Sequence, residues 1–177
     1  MKPHYTLLLV AFGLLCCDSS QRQAPELKAP GVLKEGYFTW DMVNADINQS
    51  VLVDHMTVDE VKVLMQKMHK ADQQYRDSLH HGNKENQKHY FRKMSRNDDA
   101  NLLLLHQIVK KYGWPGIRNF GQAAAETAWL VVWHHRDNKD VLGEYLPFIG
   151  EAVTKSEIPK WHYTSIADQL ALLRSIK

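Results

Sequence analysis

The chain has 177 residues, enough for one domain and hardly for two. Apolar residues make up 44% and charged residues 24%, a globular balance that excludes a disordered or fibrous chain. The net charge is +2, with the two signs interspersed and no basic stripe in view, so nucleic acid is not expected as a partner.

The chain opens on Lys2 and His4, followed by an apolar run over residues 6–15. That run is too short to span a bilayer and fits the apolar region of a signal peptide. It ends in Leu14-Leu15-Cys16-Cys17, which resembles a bacterial lipobox with Cys17 as the lipidated residue. The alternative is an ordinary cleaved signal ending among Cys17, Ser19 and Ser20. Residues 1–17 are therefore read as a lipoprotein-type signal, 18–36 as a tether rich in Gln, Pro and Lys, and 37–177 as the folded domain. Both cysteines lie in the signal, so the domain has no disulfide and no cysteine nucleophile.

Residues 37–54 space Trp40, Val43, Ile47 and Val51 as a helix requires, although Val51-Leu52-Val53 would also suit a short strand; a helix is expected. Thr57 with Glu60 forms a capping box that opens a helix running to about His81-Gly82. Its apolar stripe is Val61, Leu64, Met65, Met68, Tyr75 and Leu79. Asp72 falls inside that stripe and Arg76 on its edge. A carboxylate on a buried face must be paired, and Arg76, one turn on, is the obvious partner.

The polar residues 83–96 are either a loop with a helical turn or a full exposed helix, their charges a solvated face. Ser95 or Asn97 is expected to cap the next helix, which runs to Tyr112 with Leu102, Leu105, Ile108 and Val109 inward. Asp98 falls within the arc of that core face, and Asp98 and Asp99 also suit the first turn, where acids oppose the helix dipole, a reading that is enough for Asp99. Asn101 lies within the apolar stripe and must find partners there.

Tyr112-Gly113-Trp114-Pro115 is a helix stop: Gly113 can take the left-handed conformation, and Pro115 disfavours helix at Trp114. Asn119 with Gln122 resembles a capping box, so a helix is expected over residues 120–135. Its apolar residues fall on every side, the mark of a buried central helix. Asp137 is expected to cap a segment from about Asn138 to Lys155 that Pro147 kinks or splits. A last helix begins near Pro159 and carries Ile166, Leu170, Leu173 and Ile176 inward. The fold class is all-α, a single-domain bundle of about five helices.

Sequence motifs for familiar chemistry are missing: no HExxH, no Gly-rich phosphate loop, no GxSxG elbow. His134 and His135 are adjacent and point about 100° apart on a helix, which disfavours one shared ion. No metal and no cofactor are expected. His55, His106 and His162 read as ordinary.

The residues DQQYR (Asp72 to Arg76), the helix with Asn101, YGWP, Gly121, and Ala128-Trp129 running to His134 resemble an uncharacterised bacterial family. It is catalogued as domain of unknown function 6624, and the resemblance covers about residues 65–170. Its pattern runs DQ..R, D..N, yGWP, G, a helix ending in QHAD, and a late L.DR. Asp72, Gln73, Arg76, Asn101, Trp114, Gly121 and His134 match. Trp133, His135 and Arg136 depart from it, and Gln169 follows Asp168 where the family has Arg. The resemblance implies a helical fold and a polar cluster, and no reaction.

Asp72, Gln73, Arg76, Asn101 and His134, with Asp168 as a further candidate, are expected to converge between helices. Such a set can be a network that locks helices together or a pocket for a polar ligand. The function expected is an exported, lipid-anchored module of the cell envelope that binds a small ligand or a protein partner; secretion is the alternative location. The alternative function is a hydrolase-like enzyme using His134 with Asp72 or Asp168.

Overall fold

The computed structural model describes residues 51–76, 79 and 84–176, so the signal, Cys17, the tether and most of 37–54 lie outside them. Among the described residues the chain is all-α and without strands. A 3-10 turn at Val53–His55 is followed by α1 (Val58–Gln74), α2 (Lys84–Tyr112), the short α3 (Ile117–Phe120), α4 (Gln122–His134), α5 (Lys139–Thr154) and α6 (Lys160–Ser175). No helix among the described residues is long and apolar enough to cross a membrane.

The start of α1 is set by local chemistry. Thr57 Oγ1 accepts from the Glu60 amide at 3.3 Å, and Glu60 Oε2 accepts from the Thr57 amide at 2.7 Å. Val61, Leu64, Met65, Met68 and Tyr75 are buried along the expected stripe, and Asp72 is buried with them. The helix ends at Gln74 with Tyr75 as its C-cap, short of the expected end near His81-Gly82, whose own residues lie outside the described ones. Val53–His55 is a single 3-10 turn, not a longer helix or a strand. Lys111 pins it by donating to the carbonyls of Asp54 and Met56 at 2.8 and 2.7 Å.

Most changed from expectation is α2. No helix begins at Ser95 or Asn97; one helix of 29 residues runs from Lys84 to Tyr112. Neither Gly nor Pro interrupts that stretch, so nothing stops the backbone ladder. Asn97 is buried, and its amide donates across to the Ala71 carbonyl of α1 at 2.9 Å instead of capping its own helix. Asp98 and Asp99 therefore lie mid-helix, where no open helix N-terminus exists for them to oppose. Continuity also lines up Lys84, Lys88, Arg92 and Arg96 at four-residue spacing on an exposed face, a basic stripe that the interspersed charges of the sequence do not suggest.

The YGWP stop behaves as its chemistry requires. Gly113 takes φ +74°, and its amide donates to the Val109 carbonyl at 2.9 Å. The expected Asn119–Gln122 capping box does not form, because Asn119 lies inside α3 and Gly121, at φ +84°, precedes α4. Glu157, from the connection between α5 and α6, caps α3 from a distance: its carbonyl accepts from the Ile117 amide at 2.9 Å, and its carboxylate from the Arg118 amide at 3.0 Å.

Helix α4 is the hub, touching α1, α2, α3 and α5. Ala124, Ala125, Ala128, Val131 and Val132 are buried, but Ala123 and Glu126 are exposed, so the helix is not buried all round. Its alanines let α1 approach closely. Asn138, not Asp137, caps α5, accepting from the amides of Asp140 and Val141 at 3.0 and 3.3 Å. Pro147 lies within α5 without splitting it. Helix α6 starts directly after Pro159 and folds back on α5; Ile166 and Leu170 are buried, while Ile176 falls past the helix end, 68% exposed.

His162 is not ordinary. Its ring is fully buried, stacked on Trp129 at 5.3 Å and edge-on to Trp161 at 4.1 Å, and neither ring nitrogen has a partner among the described residues. Burial pushes its pKa below the ordinary value, with the Glu126 carboxylate opposing weakly. A depressed histidine favours the folded state fully above the unfolded value of about 6.5 and loses that contribution as pH falls toward the folded value. His162→Phe keeps the stacking and removes the titration. The melting temperature of the variant, recorded from pH 7 to 5, is expected to fall less than that of the parent.

Candidate functional site

Three helices bring ionisable groups together. Asp72 in the last turn of α1, Asp98 midway along α2, and His134 at the end of α4 place donor atoms within 4.8 Å of one another. Arg76 stands between the carboxylates. Its Nη2 donates to Asp98 Oδ1 at 2.6 Å and to Asp72 Oδ1 at 3.4 Å. His134 Nδ1 lies 2.6 Å from the same Asp72 oxygen, and Gln73 Nε2 donates to the other. The donor spacing is one a cation can bridge; here the guanidinium supplies the positive charge between the two acids.

Each environment is distinct. Burial raises the Asp72 pKa, but the hydrogen bond and charge of His134 and the charge of Arg76 outweigh it and hold the carboxyl below its ordinary value. For Asp98 burial dominates, the Asp72 charge adds to it, and Arg76 only partly compensates, so that pKa is raised. Two neighbouring carboxyls are thereby pushed in opposite directions, a pattern found at functional sites and also in structural ion networks.

Because Asp72 holds its charge, His134 Nδ1–H must be the donor in the 2.6 Å contact. In the neutral ring that fixes the tautomer, with Nε2 as the acceptor; in the charged ring both nitrogens donate. The His134 side chain is 11% exposed, so the imidazole stands between the buried carboxylate and the outside. Next to it, His135 Nδ1–H donates to the Val131 carbonyl at 2.9 Å, and its Nε2 faces Asp99 at 3.7 Å. Burial lowers the His135 pKa, but Asp99, the Val131 carbonyl and Asp98 reverse this and leave it raised. An open groove of about 590 Å³ begins at His135 and is lined by Asp137, Asn138, Lys139, Asp140 and Leu173.

Of the residues singled out from the sequence, Asp72, Gln73, Arg76 and His134 meet. Asn101 is completely buried one turn along α2 from Asp98, and its amide donates to the Met68 carbonyl at 3.1 Å. With Asn97 it stitches α2 to the end of α1; its Oδ1 has no partner among the described residues. Asp168 is exposed on α6 and makes no hydrogen bond or ion pair to any described residue. Its neighbour Gln169 instead donates to the Arg136 carbonyl at 3.0 Å.

Asp98 was the member missed. Its place on the core arc beside Asn101 is the signal, but a helix start at Ser95 or Asn97 also offers Asp98 a local role and does not show the partner 22 residues away. The Asp99–His135 pair was hidden in the same way. Comparison of the chain with protein-family models, curated proteins and solved structures finds no match in any of the three, so the resemblance to the uncharacterised bacterial family rests on its quoted residues.

Proposed function

We propose that the chain is an exported helical module, held at the cell envelope by lipid on Cys17, that binds a small polar ligand at the end of α4. One observation carries the reading. His134 links a buried, ionised Asp72 to the surface, beside a groove into which His135 opens. A network serving only to fasten helices has no need of an imidazole that reaches the surface, as His134 does at 11% exposure. Asp98 and Arg76 complete a set able to accept and donate hydrogen bonds to a ligand with both polarities. The membership in the bacterial family suggested by DQQYR, YGWP and His134 belongs to the same proposal.

The test is a thermal-shift screen of small polar metabolites against the full chain and His134→Gln, which keeps a polar side chain at the rim. A compound that raises the melting temperature of the parent alone supports the reading. A screen without hits, together with an Asp72→Ala variant that fails to fold, assigns the cluster to holding helices together.

A hydrolase reading is favoured by the 2.6 Å Asp72–His134 contact, which orients Nε2 as a general base would require. Hydrolysis of chromogenic esters or phosphoesters, lost by roughly 10²–10⁴-fold in His134→Gln, is the expected sign of it.

A further inference from the structure

The first half of α2 has a surface unlike the rest of the molecule. Residues 84–96 contain Lys84, Lys88, Arg92, Lys93 and Arg96 against the single acid Glu85, four net positive charges where the whole chain carries +2. Lys84, Lys88, Arg92 and Arg96 are all exposed and follow one another at four-residue steps. Each step turns about 40° and rises about 6 Å, so they form one slanting row about 18 Å long. Phe91, 57% exposed, flanks the middle of the row, three residues past Lys88 and next to Arg92 in the chain. Among the described side chains of residues 84–96 none is buried, so the core does not dictate their types.

We propose that this row is a docking surface for anionic lipid headgroups. The cations complement phosphate and carboxylate charge at a bilayer surface, while the Phe91 ring can enter the apolar boundary beneath, the pairing found in helices that lie in a membrane interface. A nucleic acid would satisfy the charges but offers Phe91 no apolar phase. The proposal rests on the lipid-anchor reading only for which membrane is near: with the chain tethered by its N-terminus, the row would fix how the bundle lies on the surface.

Vesicle co-sedimentation of the full chain tests it, with phosphatidylcholine alone and with phosphatidylcholine mixed with phosphatidylglycerol, at low and high salt. Partition onto the anionic vesicles is expected to exceed that onto neutral ones and to fall with salt. Lys88→Gln/Arg92→Gln should lower it roughly 25-fold, at about fivefold per cation, with the parent's melting temperature retained. Lys110→Gln/Lys160→Gln removes the same charge elsewhere and should leave partition near the parent's. Phe91→Ser should weaken binding to anionic vesicles further. Equal partition onto both vesicles overturns the proposal, as does parent-like behaviour of the Lys88/Arg92 variant. Capture of a DNA duplex with no gain from phosphatidylglycerol overturns it in favour of nucleic acid. Association with neutral vesicles reports on the apolar N-terminus instead, so failure of the tether reading and failure of the row are told apart.

Discussion

Asp72→Ala is expected to lose about 3–5 kcal/mol of stability, the range for breaking a buried ion pair from one side. Against a typical total of about 5–15 kcal/mol, that leaves a substantial unfolded fraction. The size follows from what stays behind. The Asp72 side chain is 1% exposed, and its removal takes from His134 the acceptor at 2.6 Å and from Arg76 one of two carboxylates. Asp98→Ala is expected to cost less, because burial already penalises that charge and holds its pKa up. The two acids also part with pH. The Asp72 pKa is lowered on folding, so its contribution is complete above the unfolded value near 4 and disappears as pH falls through the folded value. Asp98 runs the other way: its raised pKa means that stability is lost as pH rises through it. Urea midpoints of the parent, Asp72→Ala and Asp98→Ala at pH 7, and of the parent and Asp72→Asn between pH 5 and 3, check both statements. Asp72→Ala within about 1 kcal/mol of the parent would mean the cluster holds nothing together.

What could be read from the sequence was what neighbouring residues decide among themselves. The Thr57–Glu60 box, the left-handed Gly113 and the α1 stripe each depend on groups within a turn or two. The all-α class follows from several such local signals agreeing. Errors came where one residue type serves two purposes. Asn97 has the chemistry of a cap, yet its amide is equally good at reaching a carbonyl on a neighbouring helix, and the buried Ala71 carbonyl took it. A helix start there also offers Asp98 a dipole to oppose, so its place on the core arc does not by itself point to the bond with Arg76. At the candidate site, Asp72 and Arg76 were legible because they are only four residues apart in the chain, Asp72 in the last turn of α1 and Arg76 two residues past its end. His134 was reached through a family resemblance, not through periodicity. Asp168, drawn from the same resemblance, stays outside the cluster, in the region where the chain departs most from the family pattern.

Gly116→Ala is expected to cost about 3 kcal/mol, and to cost little once Glu157 is removed. The backbone at Gly116 is ordinary, φ −93° and ψ 168°, so conformational freedom is not the reason for glycine. Space is. A Cβ there would sit 2.6 Å from Glu157 Cβ and 2.4 Å from its Oε2. The carboxylate could swing aside, but a Cβ moves only with its backbone. That backbone is held by the Glu157 amide donating to the Ala152 carbonyl at 2.9 Å and by Ser156 at φ +56°. Retreat would also break the two bonds that cap α3 and the 2.6 Å Arg118–Glu157 ion pair. Overpacking of about 1–3 kcal/mol and two hydrogen bonds near 1 kcal/mol each set the scale. Glu157→Gly alone loses the carboxylate's bond to the Arg118 amide and the ion pair, keeps the carbonyl's bond, and clears the space, so Gly116→Ala added to it should cost under about 1 kcal/mol. Denaturation of both single variants and the double closes the cycle, with a coupling of about 2 kcal/mol expected. Additive losses would show that the glycine answers to something other than Glu157, and that the junction of the YGWP turn with the α5–α6 connection is held by different contacts.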